Sequence, residues 1–165
     1  MKVISRRAVA VLGAFLFSVT VVGAGVMPAQ AAAPAPGPML VGIRSATHPT
    51  YDRIVLDFVG GRPGIQSQRF VDELRSDPSD QIEWLTGCTF AEVVMTPAYA
   101  HDSDGHPSLP GPQKFRTRNL SNVMAVAITG DFEGYVTFGI GMRKQTWMNV
   151  STLTSPDRVV IDVGR

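Results

Sequence analysis

The chain predicts an all-β fold, a mostly antiparallel β-sandwich of one domain behind an N-terminal signal peptide. Three observations carry that expectation. Residues 51–59 alternate strictly: Ile54, Leu56 and Phe58 fall on one face, Arg53 and Asp57 on the other. Successive side chains of a strand point to opposite faces, so this is a half-buried strand. Short segments of the same kind recur between breaks rich in Gly, Pro and Asp, the pattern of a sandwich or barrel. One stretch only, 111–119, offers a place for a short helix.

In order, residues 39–46 and 51–59 are the first two strands. Gly60-Gly61-Arg62-Pro63-Gly64 turns the chain into a third strand over 65–74. Ser76-Asp77-Pro78-Ser79-Asp80 breaks it, and a fourth strand over 88–96 ends at Pro97. A polar loop fills 99–112. Strands over 122–129 and 135–142 pair as a hairpin through the five residues Gly130-Asp131-Phe132-Glu133-Gly134. Gly139 and Gly141 share one face of the second of these strands, where another backbone or a ligand packs close. Strands over 147–153 and 158–163, split by Ser155-Pro156-Asp157, close the chain. Arg53-Ile54-Val55-Leu56-Asp57-Phe58 is echoed by Arg158-Val159-Val160-Ile161-Asp162-Val163. The echo is either chance or the mark of a quasi-symmetric domain. In both cases a cross-strand Arg/Asp pair on the exposed face contributes about 0.2–1 kcal/mol.

The first 31 residues have the layout of an export signal. Lys2, Arg6 and Arg7 precede an apolar run over 8–26, and Ala29-Gln30-Ala31 is an A-x-A cleavage site. The predicted organisation is therefore signal peptide 1–31, a Pro/Ala-rich linker 32–38 and a folded domain 39–165. The expected location is secreted or cell-envelope, through the general secretory or the twin-arginine route. Three of the fifteen basic residues and none of the fourteen acidic ones lie in the signal, leaving twelve against fourteen and a charge of −2. A chain so near neutrality has no electrostatic reason to seek nucleic acid, or a membrane once the signal is removed. Cys88 is the only cysteine, so no internal disulfide forms, and its apolar surroundings in sequence predict a small buried hydrophobe.

No catalytic motif stands out. His101-Asp102-Ser103-Asp104-Gly105-His106 contains a fragment of a calcium loop, but no late Glu follows. Three histidines exist, with no H-E-x-x-H to gather them for zinc. There is no G-x-S-x-G elbow. No catalytic residue, metal ligand set or cofactor is assigned. Glycan strands are read by flat aromatic faces and planar hydrogen-bonding groups, and peptide stems offer carboxylates that suit Arg. Tyr99, His101, Asp102, Asp104, His106 and Arg116 are the candidate ligand-binding residues on that ground.

The bracketing strands, Tyr51-Asp52-Arg53-Ile54-Val55-Leu56-Asp57-Phe58 and Pro156-Asp157-Arg158-Val159-Val160-Ile161-Asp162-Val163, resemble those of AMIN and AMIN-like domains. Thr96-Pro97-Ala98-Tyr99-Ala100-His101-Asp102 and Gly130-Asp131-Phe132-Glu133-Gly134-Tyr135-Val136-Thr137-Phe138-Gly139 are similar to segments of the AMIN-like secreted proteins of actinobacteria. The resemblance spans about 40–165. It implies a β-sandwich that is not itself an enzyme and that binds the cell wall through peptidoglycan. The expected function is thus a non-catalytic cell-envelope module for wall glycan or peptide stem. The alternatives are a module docking an envelope protein through a sheet edge, and a metal-assisted wall hydrolase.

Overall fold

The structure is a computed structural model in which residues 37–165 are described. The expected signal peptide and nearly all of the linker lie outside the described residues. Nine strands follow in order: β1 (Met39–Thr47), β2 (Tyr51–Val59), β3 (Gly64–Val71), β4 (Thr89–Thr96), β5 (Lys114–Arg116), β6 (Val123–Phe132), β7 (Tyr135–Met142), β8 (Met148–Leu153) and β9 (Arg158–Gly164). They form two antiparallel sheets, β1-β2-β9-β8 and β3-β4-β7-β6-β5. Ile54, Leu56, Phe58, Val159, Ile161 and Val163 of the first sheet meet Val93, Met95, Val136, Phe138, Ile140 and Met142 of the second in one core. The all-β sandwich is as the alternation predicts.

The two echoed segments are neighbours. β2 and β9 are the central strands of the first sheet, paired with Arg53 opposite Asp162, Val55 opposite Val160 and Asp57 opposite Arg158. Arg53 donates from Nε and Nη2 to both Asp162 oxygens at 2.7 and 2.8 Å. Asp57 turns the other way and takes both bonds from Arg44 of β1. The echo therefore describes a local two-fold arrangement in which each strand carries an outer hairpin partner.

One polar side chain sits on the core face. Asp52 is two residues before Ile54, in phase with the buried face, and is fully buried. Its carboxylate accepts the backbone N–H of Ser121 at 3.1 Å, of Asn122 at 2.6 Å and of Val123 at 3.0 Å, and the Thr47 hydroxyl at 3.2 Å. Burial alone would raise its pKa, but these donors outweigh it and hold the carboxyl below its ordinary value. Asp52 thus joins β2 of one sheet to the start of β6 in the other. Asn122 extends the knot, donating to Gly164 O at 2.7 Å and to Lys144 O at 3.1 Å.

Four expectations are corrected. The 111–119 stretch is not helical; it holds β5, whose Phe115 packs on the core while Lys114 and Arg116 face out. Three residues of strand alternation within a Pro/Gly-rich loop gave too short a pattern to read. The β6–β7 connection is two residues, not five, because Glu133 and Gly134 both take positive φ (49° and 79°), the tight hairpin geometry that matches strand twist. The third strand stops at Val71, and Leu74 instead lies buried on the outer face of the second sheet. Cys88 is exposed, because it precedes β4 at the end of that crossing segment rather than inside a strand.

That segment, a strap over 72–88, explains the glycine face of β7. A Cβ on Gly139 would stand 2.9 Å from Leu74 Cδ1, and one on Gly141 only 2.2 Å from the Thr86 carbonyl oxygen. The backbone that the glycines admit is the chain's own. The strap is tied down by Asp77 N–H to Thr129 O and Cys88 N–H to Met142 O, at 2.8 and 2.7 Å.

Two outcomes are expected. Asp52→Asn places an amide donor among N–H donors and lowers unfolding free energy by roughly 2–4 kcal/mol in urea titrations. The folded carboxyl titrates below its ordinary 3.8, so its stabilisation is complete above that pH and fades as pH falls through the lower folded value. The Asp52→Asn protein should lack that acid-side loss. Gly141→Ala meets backbone rather than a flexible tip, so it should cost about 1–3 kcal/mol and quicken hydrogen exchange at Cys88 and Asp77.

Candidate functional site

Two surfaces carry groups suited to recognition. The first is the loop singled out in the sequence. Ala98 and Ala100 are buried and anchor it, and so does Leu109. Alternation then turns Tyr99 and His101 outward. Tyr99 is bonded to the start of β1, its N–H donating to Pro38 O and its carbonyl accepting Leu40 N–H. Its ring is half-buried between two glycines: a Cβ on Gly37 would lie 2.7 Å from Cε2, and one on Gly134 3.5 Å from the hydroxyl. It meets the His101 ring edge-on at 5.7 Å. Tyr99 is thus a wedge holding the chain entry against the β6–β7 turn more than a flat platform.

His101 Nδ1 lies 2.7 Å from Asp131 Oδ2 of β6. The other oxygen, Asp131 Oδ1, is buried without a partner among the described residues. His101 and Asp131 line an open hollow of about 370 Å³ with Gly105, Pro107 and Gln113. Asp102 closes the loop, its Oδ1 accepting the N–H of Asp104 and of His106, each at 2.9 Å. Those two bonds, the His106 one foremost, hold its carboxyl below the usual range. Asp102, Asp104 and His106 bring ligand atoms within 4.8 Å of one another. One carboxylate oxygen is already engaged by the turn, and calcium takes six to eight oxygens. Arg116 does not join them; it is exposed on β5 opposite Ala125 and does not line the hollow.

The second surface escaped the sequence reading. It is the outer face of the first sheet at the Tyr51 end of β2. Tyr51 stands opposite Gly164, and the Gly164 N–H donates to Trp147 O at 2.9 Å. Because Gly164 has no side chain, the Trp147 indole lies across it; a Cβ there would fall 2.5 Å from Nε1. The indole so reaches Tyr51, with ring centroids 6.1 Å apart. Tyr51 stacks on His48 at 4.4 Å and 16°. The Arg53 guanidinium, held by Asp162 and so raised above its ordinary pKa, lies 5.2 Å from the Tyr51 ring centroid. Three rings in a row thus border a planar Arg–carboxylate pair, and Trp147 is 52% exposed. Tyr51 and Arg53 are legible as in phase; His48 joins them through the β1–β2 turn, its N–H donating to Tyr51 O at 2.8 Å, and Trp147 only through the β2–β9 register, which the residues do not announce. Trp84, on the strap, is 82% exposed but has no ring beside it among the described residues.

The AMIN-like domain family matches residues 38–165. The chain belongs to the AMIN-like family. AMIN-like domains are generally non-catalytic binding modules, typically extracellular or periplasmic, and membership points to a cell-wall-related binding role. No curated protein and no solved structure matches the chain. Among the described residues, no helix of this AMIN-like chain is long and apolar enough to cross a membrane.

If Asp102 acts as the loop's internal tie, Asp102→Ala should quicken amide exchange at Asp104 and His106 while leaving the melting temperature unchanged. A global loss of stability would show instead that the turn supports the fold.

Proposed function

We propose that this AMIN-like chain is a secreted, non-catalytic cell-envelope module that binds wall glycan. The observation that carries the reading is the row His48, Tyr51 and Trp147 beside the Arg53–Asp162 pair. Sugar rings present apolar C–H faces that settle on aromatic rings, and their hydroxyls pair with planar donors and acceptors. The pair is bidentate and half-buried, which fixes its donors and acceptors in one plane beside the rings. The strap crosses the outer face of the second sheet, and the aromatic row lies on the outer face of the first. A signal peptide over 1–31 and a linker over 32–38 would deliver the domain to the envelope.

The loop of Tyr99, His101, Asp102, Asp104 and His106, with Arg116 apart on β5, is the competing contact under the same function. It sits at the other end of β1 from His48, so single variants separate the two.

Co-sedimentation of the purified protein with deproteinised peptidoglycan, with assay of the supernatant for released fragments, tests the proposal. Binding without release is expected. Trp147→Ala should weaken it about tenfold, Trp147→Phe much less, and His101→Ala little. Equal recovery in the supernatant with and without wall would overturn the reading, and released fragments would replace it with a hydrolase.

A further inference from the structure

The end of the sandwich that carries the aromatic row is also basic. Four segments meet there: the β1–β2 turn, residues 117–122 before β6, residues 143–147 after β7, and Arg165 beyond β9. Asn122 ties three of them together, its carbonyl accepting the Arg143 N–H at 2.9 Å and its amide donating to Lys144 O and Gly164 O. The side chains at this end set Arg53, Arg118, Arg143, Lys144 and Arg165 against Asp52 and Asp162. With the α-carboxylate of Arg165 counted, the balance is +2, in a domain whose side chains sum to −2. Both acidic side chains are already engaged, Asp52 by backbone N–H groups and Asp162 by Arg53.

Two of these guanidiniums are held in place, and by the same residue. Arg165 donates from Nη2 to the Ser121 hydroxyl and to the Thr47 hydroxyl at 2.8 Å, and from Nη1 to Pro49 O at 3.2 Å. Arg143 donates from Nε to Ser121 O at 2.9 Å, and its two Nη groups form no hydrogen bond among the described residues. The Arg165 side chain is 33% exposed, much like that of Arg53 at 35%. Arg53 has a carboxylate on its fork, whereas all three acceptors of Arg165 are neutral. The one carboxylate paired with Arg165 is Asp52, 3.9 Å from Nε, whose oxygens already take four other donors. A half-buried guanidinium fixed in this way lacks the planar anion its fork matches. Ser121 adds a third donor, because a hydroxyl that accepts from Arg165 keeps its own proton to give. A group that meets donors on every side must be an acceptor, and beside two guanidiniums a negative one. Thr47 and Pro49, which hold Arg165, flank His48, the first ring of the aromatic row.

We propose that Arg143, Ser121 and Arg165 form a binding site for a carboxylate group at the end of the aromatic row. The site goes beyond the glycan reading and does not need it. A carboxylate carried by a sugar and one carried by a peptide present the same two oxygens.

The test is a titration of the isotope-labelled protein, read at the Arg143 and Arg165 Nε–H and Ser121 amide signals. The separate probes are N-acetylmuramic acid, N-acetylalanine, the neutral sugar N-acetylglucosamine and sodium chloride. Both carboxylates should shift these signals in a saturable way, and the neutral sugar and chloride should not. Tighter binding of N-acetylmuramic acid would identify a sugar carboxylate as the source, and tighter binding of N-acetylalanine a peptide one. Arg143→Gln, at an exposed position, should weaken both about tenfold, as loss of a hydrogen bond to a charged group does. Arg143→Lys should lose most of that binding too, because an ammonium has no planar fork. Arg62→Gln, exposed in the turn after β2 at the other end of the sandwich, removes the same charge and should change nothing. Trp147→Ala should leave the N-acetylalanine titration unchanged, so failure of the glycan reading is read separately from failure of this one. No saturable shift with either carboxylate, equal shifts with N-acetylglucosamine or chloride, or equal weakening by Arg62→Gln would overturn the proposal.

Discussion

A single buried carboxylate pins the two sheets to each other at one end of their shared core. Asp52 projects from β2 into the core, where burying a charge without partners costs several kcal/mol. Three consecutive N–H groups at the entrance to β6, with the Thr47 hydroxyl, satisfy it. No apolar residue could replace those bonds without leaving the three N–H groups bare. The contact also sets phase. In a strand, fixing one residue inward fixes its neighbours outward. With Asp52 against β6, Tyr51 and Arg53 must face solvent, and a slip of one residue would drive Arg53 into the core.

From that phase the division between the two outer faces follows. The second sheet turns Gly139, Gly141, Thr137 and Ala127 outward on β6 and β7, small residues that leave room for the strap. The strap's Leu74 fills the space a side chain on Gly139 would take. The first sheet turns out Arg44, Tyr51, Arg53, Asp57, Asp162 and Trp147, groups that stay in water with their charges matched. The sandwich therefore has one covered face and one open face.

Much of this was legible in the residues. β2 and β9 each bury one face, so their alternation is unambiguous, and their echo foretold the Arg53–Asp162 pair. Asp52 was equally visible in phase with Ile54 and Leu56, but a carboxylate on an apolar face gains meaning only with its donors, 69 to 71 residues away. The glycine pair correctly signalled close packing without saying by what. The loop residues Tyr99 to His106 were grouped by proximity in sequence, and because a turn is local they lie in one loop. Arg116 fell outside it, since β5 carries that residue away along the sheet edge. Trp147 was invisible as a partner because the antiparallel register brings it to Tyr51 from a distant part of the chain, while His48, three residues before Tyr51, reaches it through the β1–β2 turn.

The central claim is that the open face of the first sheet is where this AMIN-like domain meets the wall. The most direct measurement is chemical-shift mapping with soluble glycan fragments of peptidoglycan, following the Trp147 indole N–H, the Arg53 Nε–H and the backbone amides. The account predicts saturable shifts at Trp147, Tyr51 and Arg53, with the strap and the 101–106 loop unmoved. Shifts confined to His101, Asp104 and His106, or none at the Trp147 indole at saturating fragment, would contradict it.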